Sequence, residues 1–341
     1  MQKPVGLKQL AEELGVDVST VSRALRDDPR VKRETRRAVQ DLATRYDYRP
    51  NAAARALRGG KSGRVAVLLS PPQQRFASPI FLELLSTLDQ HIREKGMHLA
   101  VFAARERAEE AAIVRQIVEE RLADGLILGR TRKDDPRVKL LLETGLPFVT
   151  FGVTDWPERH PLVEISYAEA GRLAIRALCE TAGDAIHVLS APEGLNFADS
   201  YVRGALAEAA ARGTPRPQVW RIEMTEKAGE ETARRILAAG GRPALACIQD
   251  SLAFGVLHAA AGAGRAIGHD LTIFGGQNFP GSEHTAPPLS TFSTEDSEVA
   301  ELLSRVMLRH LEAGGRPPRG GYERHEIRPT PLLRQSHLFR R

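Results

Sequence analysis

Near the amino terminus, Asp17-Val18-Ser19-Thr20-Val21-Ser22-Arg23 combines groups that could read the edge of a base pair. The guanidinium of Arg23 could donate two parallel hydrogen bonds to O6 and N7 of a guanine, a contact worth ~1–3 kcal/mol of discrimination. Val18 could pack on a thymine methyl, and Ser19 and Ser22 place hydroxyls on the same outer face. These residues need a short helix to carry them, and Asp17 offers a side-chain oxygen to cap it. Its buried face would be Val21, Ala24 and Leu25. Before it, Leu7, Leu10, Ala11 and Leu14 fall at i, i+3, i+4, i+7, one apolar helical stripe, and Gly15 directly after them suits a helix end. Helix, tight turn and second helix together fit the major groove. Taken alone the segment fits a surface helical hairpin equally well, and the residues after it separate the two.

Asp27-Asp28-Pro29 breaks the chain. A third amphipathic helix is predicted from about Lys32 to Tyr46, burying Val31, Thr35, Ala38, Val39 and Leu42 and exposing Lys32, Arg33, Arg36 and Arg37. Three short helices make a small core only if they pack together. Next comes Tyr48-Arg49-Pro50-Asn51-Ala52-Ala53-Ala54-Arg55-Ala56-Leu57-Arg58-Gly59-Gly60, in which Asn51 can cap a helix and Gly59-Gly60 stop it. A helix of two turns is marginal alone in water, because nucleation is costly. Such a segment can be unfolded when free and helical when bound.

GVDVSTVSRALRDDPRV, followed by TRRAVQDLATRYDYRPNAAARALRGGKSG, resembles the lactose-repressor (LacI/GalR) family of bacterial transcription regulators. The resemblance implies base reading by Val18, Ser19 and Arg23 and phosphate contacts from Thr20, Ser22, Thr35 and Tyr48. It also implies a hinge helix that pairs with its dimer mate over the minor groove, where Leu57 wedges into a base step with Asn51, Ala54 and Arg55 alongside. The alternative for Leu57, packing on the rest of the chain, lacks an apolar stripe around it. Lys32 departs from the family, which often caps its third helix with a small hydroxyl; a lysine cannot cap.

Charge supports a nucleic-acid partner. The 341 residues carry a net charge of +5, with 13 Lys/Arg against 8 Asp/Glu in residues 1–60 and 35 of each in the remainder. A basic head on a neutral body suits phosphate neutralisation and counterion release. No apolar run is long enough to span a membrane and no secretory signal opens the chain, so a cytoplasmic protein is expected. Cys179 and Cys247 lie in apolar contexts with no ligand spacing and read as small hydrophobes.

From Arg64 onward, short apolar strands alternate with helices, which predicts parallel sheets covered on both faces. The pattern runs through two similar rounds, the second starting near Glu164. Such pairs close over a cleft beyond the carboxyl ends of the strands. The resemblance extends here through ADGLIL, GLPFVTFG, the run Gln249-Asp250-Ser251-Leu252-Ala253-Phe254-Gly255 and PPLSTF. It implies an all-α helix-turn-helix DNA-binding head plus an α/β, periplasmic-binding-protein-like effector domain of two subdomains. The expected divisions are 1–48 for the head, 49–62 for the hinge helix and linker, and 63–335 for effector binding and dimerisation. Within the last, one subdomain is expected over about 64–163 and 291–320, the other over about 164–290 and 321–335.

Candidates for effector contact are the loop residues Phe81, Arg105, Asn196 and Tyr201, with Gln249, Asp250, Gln277 and Asn278. Paired polar groups suit sugar hydroxyls and aromatic faces suit the ring; ordinary loop polarity is the competing account of each. Tyr201, Gln277 and Gly152 replace charged residues common in sugar-responsive members, which favours a larger neutral glycoside or polyol, or a non-sugar, over a simple monosaccharide. No GxSxG, Walker loop, GxGxxG after a strand or histidine metal spacing is present, so neither an enzyme nor a cofactor is expected. A small-molecule binding protein without a DNA role would explain the body but not the basic head. The expected protein is a repressor that binds a palindromic, double-stranded operator and is controlled by a sugar or glycoside; the tail PTPLLRQSHLFRR has no sustained heptads, so a homodimer is expected rather than a tetramer.

Overall fold

The first apolar stripe forms α1 (Leu7–Leu14), ended by Gly15 at φ 61°, the left-handed conformation that glycine adopts freely. Asp17 then caps α2 (Val18–Ala24), accepting from the Ser19 amide at 2.8 Å. The third helix is α3 (Arg33–Arg45), and Lys32 before it makes no side-chain cap. The core of the head consists of Leu10, Ala11, Val21, Ala24, Val31, Val39, Leu42 and Ala43. Each large aliphatic among these contributes ~1.5–3 kcal/mol by leaving water. Two expectations are corrected here. Ala38 is exposed while Ala43 is buried, because Val39, Leu42 and Ala43 share a face that position 38 leaves by one step of 3.6-fold rotation. Arg36 is not a free surface cation, since it pairs with Asp27 at 3.3 Å.

The computed structural model describes residues 6–25, 27–46, 61–69, 79–179, 183–294 and 296–339. Contacts divide the chain into two units, Met1–Ser62 and Gly63–Arg341. Tyr48, Asn51, Ala54, Arg55 and Leu57 lie outside the described residues.

In the second unit, β1 (Arg64–Leu69), β2 (His98–Ala103), β3 (Gly125–Gly129), β4 (Phe148–Phe151) and β5 (Leu162–Ile165) alternate with α4 (Pro79–Glu94), α5 (Glu109–Glu119) and α6 (Pro136–Thr144). The chain then crosses into α7 (Tyr167–Cys179), β6 (Ala185–Ser190), α8 (Asn196–Ala211), β7 (Gln218–Arg221), α9 (Glu226–Ala238), β8 (Pro243–Cys247), α10 (Asp250–Gly262) and β9 (Thr272–Phe274). It returns through β10 (Thr291–Ser293) to α11 (Asp296–Glu312) and β11 (Arg324–Ile327), and crosses again in β12 (Thr330–Leu332).

Two parallel sheets result, ordered β11-β5-β4-β3-β1-β2 and β7-β6-β8-β9, with an antiparallel pair β10-β12 between them. Near-continuous apolar strands such as Val65–Leu69 and Ala244–Cys247 are buried, as parallel strands covered on both faces require. The expected division at 321–335 is corrected: β11 lies beside β5 in register Glu326↔Glu164, so residues 324–327 belong to the first lobe. Only after β12 does the chain rejoin the second lobe, where the Ile273 amide donates to the Ser336 carbonyl at 2.8 Å.

The second lobe packs α7 on α8 and α9 on α10 through glycines. A Cβ on Gly204 would run into the Ala168 carbonyl oxygen, and one on Gly255 into that of Glu226. These sites allow backbone-to-backbone contact that side chains would prevent. Among the described residues no helix is long and apolar enough to cross a membrane.

Candidate functional site

On α2, Ser19 and Arg23 are exposed and Thr20 and Ser22 partly so, forming one outward face. Val18 is partly buried and packs against the core of the head, so it stands at the edge of that face. Thr35 is partly exposed in the first turn of α3. The head therefore presents a serine- and arginine-bearing helix face held by a tight apolar core.

In the second unit, the carboxyl ends of the strands meet at a cavity of about 240 Å³. Arg130 follows β3, Gly152 follows β4, Gln249 follows β8 and Gln277 follows β9, the ends at which open α/β sheets place ligands. Ser251 Oγ donates to Gln249 Oε1 at 3.2 Å, Gln249 Nε2 to Gln277 Oε1 at 3.0 Å, and Gln277 Nε2 to the Tyr167 hydroxyl at 2.6 Å. Phe197 lies 5.2 Å from the Tyr167 ring, and the Arg130 guanidinium stands 5.8 Å over Phe197. Gly152 has φ 116°, and a Cβ there would press on Thr131 Oγ1 at 2.8 Å. An aspartate at this position would be strained.

Asn196 ties the lobes together. Its amide donates to the Thr131 carbonyl at 3.0 Å and its side chain to the Val153 carbonyl at 2.8 Å. Beside it, Lys133 N donates to the Gly194 carbonyl at 3.2 Å. Behind Thr131 lies a buried ion network: Glu110 meets Arg132 at 2.5 Å and Arg137 at 3.2 Å, while Asp135 meets Arg137 at 2.6 Å.

Of the expected effector residues, Asn196, Gln249 and Gln277 line the cavity, and Phe81 lies in the first turn of α4. Four others are placed elsewhere. Tyr201 is fully buried, and its hydroxyl has no hydrogen-bond partner among the described residues; burial raises its pKa well above the usual phenol value. Asn196, Phe197 and Ser200 occupy the cleft side of α8, and position 201 turns onto the sheet. Asp250 is buried as a hub for the loop after β9, accepting from Gly276 N (2.6 Å), Phe279 N (2.7 Å), Ser282 Oγ (2.6 Å) and Thr291 Oγ1 (2.9 Å). Burial pushes its carboxyl up to about 6 against the pull of these bonds. Asn278 accepts from Arg334 at 2.8 Å, away from the cavity. Arg105 is exposed, its amide bonded to Glu109 at the start of α5.

Arg130, Phe197, Tyr167 and Glu164 also line the cavity, and the sequence reading passed over them. Burial, then the neighbouring Glu326, pushes the Glu164 carboxyl up to about 7. Three of the four were accessible to a simple rule, since Arg130, Glu164 and Tyr167 stand at or just past strand carboxyl ends.

Comparison with known proteins gives the same picture. Residues 6–51 match the family model "Bacterial regulatory proteins, lacI family", and residues 183–337 match "Periplasmic binding protein-like domain". The HTH-type transcriptional regulator AglR of Rhizobium meliloti (strain 1021) is 29% identical over 339 residues, covering 97% of this chain and 93% of AglR. The solved lac repressor dimer bound to operator and the anti-inducer ONPF has a TM-score of 0.85 at 20% identity, covering 98% of this chain and 100% of that one. A CelR–cellobiose complex has a TM-score of 0.73 at 22% identity, covering 97% and 99%. At these identities the two structures speak for the fold. The relatives are transcriptional regulators and not enzymes. With a helix-turn-helix head and a two-lobed α/β body on one chain, the protein belongs to the LacI family of bacterial transcriptional regulators.

Proposed function

We propose that the chain is a sequence-specific repressor that binds a near-palindromic operator as a homodimer and is controlled by a small molecule in the interlobe cleft. A sugar or glycoside is the effector class. The observation that carries this reading is the chain of hydrogen bonds Ser251-Gln249-Gln277-Tyr167 beside the Phe197 ring. Planar amides and hydroxyls next to an aromatic face suit a ligand that presents several hydroxyls on a flat ring. The CelR structure, solved with cellobiose, and the lac repressor dimer, solved on operator, support the same reading.

Residues 1–48 form the DNA-reading head in this account and 49–62 the hinge. Two heads on a two-fold axis read two half-sites, with Ser19 and Arg23 at base edges, Val18 beside them, and Thr20, Ser22, Thr35 and Tyr48 on phosphate. Asn51, Ala54, Arg55 and Leu57 act in the hinge over the minor groove. The protein works in the cytoplasm beside the chromosome. Asn196, Gln249, Gln277, Tyr167 and Phe197 hold the effector.

Because Asn196 and Lys133 bond across the lobes, those bonds change when the lobes rotate. An effector that favours one lobe arrangement shifts the free energy of hinge folding, and operator shifts effector affinity by the same factor. The test is a mobility-shift titration of bound operator with a panel of sugars and glycosides, with light scattering to establish mass. One sugar that changes operator affinity, with a dimer in solution, is expected. Operator affinity indifferent to every compound whose binding calorimetry detects overturns the coupling, and a tetramer overturns the assembly.

A further inference from the structure

The first lobe carries Arg130, Arg132 and Arg137 close together at the end of β3. Arg132 and Arg137 are buried against Glu110 and Asp135, which neutralise them. Arg130 differs. Its guanidinium lines the cavity over Phe197, and no carboxylate of the described residues lies within ion-pair distance. Its backbone is held at φ 51°, a left-handed conformation that is strained for a residue with a side chain. The Arg130 carbonyl is fixed there by Arg137 Nη2 at 3.0 Å, so the buried network braces the strained turn that aims the side chain. Burial lowers its pKa and the like charge of Arg132 adds to this, while Glu223, then Glu110 and Tyr167, oppose it by attraction without any ion pair to it. A guanidinium does not give up its proton in response, so its desolvation is offset only by a partner. Glu164, the carboxyl on the same cavity, responds to Glu326 and Arg203 rather than to Arg130. The cleft thus has a cationic end next to an aromatic face, separate from its carboxyl.

We propose that Arg130 receives an oxyanion carried by the effector, which makes the ligand class an acidic carbohydrate: a sugar carboxylate or a sugar phosphate. This rests on the cleft being the effector site. The sugar ring lies along Phe197 and Tyr167, its hydroxyls meet Gln249 and Gln277, and the oxyanion takes charge-assisted hydrogen bonds from the Arg130 fork. A neutral sugar would fill the same space and leave the guanidinium without a counter-charge.

The full-length protein is titrated calorimetrically with the uronates, aldonates and phosphates of glucose, galactose and mannose, each beside its neutral parent sugar and with cellobiose as a neutral glycoside. At least one acid is expected to bind roughly tenfold or more tightly than its parent, and Arg130→Gln to remove that advantage while Arg130→Lys keeps part of it. Carboxylates and phosphates are separate arms, so the preferred oxyanion is read directly. Thermal unfolding without ligand shows that each variant is folded. A neutral sugar as the tightest ligand, no binding by any acid, or acid affinity unchanged in Arg130→Gln overturns the proposal. Ser200→Trp fills the cleft from α8. Where a neutral sugar is the tightest ligand and Ser200→Trp abolishes its binding, the cleft reading stands and only the role of Arg130 falls; if the tightest ligand, acid or neutral, still binds Ser200→Trp, the cleft reading falls as well.

Discussion

The Gln277 side-chain amide donates a 2.6 Å hydrogen bond to the hydroxyl of Tyr167. Tyr167 is the first residue of α7, where the chain has just crossed from the six-stranded lobe to the four-stranded one. Gln277 sits at φ 76°, so a strained residue of the second lobe is held against the crossing point and against the cavity at once.

Replacement of Gln277 by glycine removes both the strain and the side chain. Relief of ~1 kcal/mol of left-handed strain offsets the loss of ~1 kcal/mol of hydrogen bonding, so stability should change little. Effector affinity should fall roughly tenfold, since two polar groups lose their partner. Denaturant unfolding and calorimetric titration check the pair of outcomes. A large loss of stability with unchanged affinity would make Gln277 a part of the fold and not of the site.

Glu164 makes stability depend on pH. In the folded chain its carboxyl holds a proton up to about 7, against 4.5 for an ordinary glutamate. Between those values the folded state binds more protons than the unfolded one, so this group's contribution is present at low pH and is lost as pH rises through about 7. Glu164→Gln should therefore stabilise the protein at pH ~8 by on the order of 1–2 kcal/mol, with water screening the partly exposed group, and should have little effect at pH ~4. Urea unfolding of both proteins across this range gives the difference, and parallel curves would refute it.

Glu110 is buried between two arginines. Glu110→Ala leaves two buried guanidinium groups short of counter-charge and should cost ~3–5 kcal/mol. Glu110→Gln, which keeps the shape but removes the charge, should lose most of the same stability. A loss in Glu110→Ala that Glu110→Gln does not share would show that packing and not charge sets the effect.

At the head, Arg23→Ala should relax base preference at one position in each half-site, at a cost of ~1–3 kcal/mol in specific binding. Loss that is uniform across sequences would make Arg23 a phosphate contact. Leu57→Gly should weaken operator binding and leave effector binding intact, and unchanged operator affinity would count against the hinge.

The head could be read closely from the sequence because its determinants are local: Gly15 ends one helix, Asp17 caps the next, and the apolar spacing sets the core. The body was legible as alternating strands and helices for the same reason. Its errors arise where tertiary contacts choose between two local possibilities. Asp250 reads like a cleft ligand, but four donors from the segment after β9 and from β10, distant in sequence, take its carboxylate inward. Tyr201 stands one residue beyond Ser200, enough rotation to move it from the cavity to the sheet. The strand Arg324–Ile327 has no apolar run to mark it, and its place beside β5 follows from pairing alone. Arg130 has no motif around it, and its importance emerges only once its neighbours Arg132 and Arg137 are seen to be paired.

The most direct test of the central claim is selection of random duplex DNA by the purified full-length protein at near-physiological salt, followed by sequencing of the retained fragments. The account predicts one near-palindrome with two half-sites at fixed spacing, and loss of preference at a single position per half-site with Arg23→Ala. Retention of DNA without a shared sequence, falling away uniformly as salt rises and unchanged by any effector that binds the cleft, would contradict it.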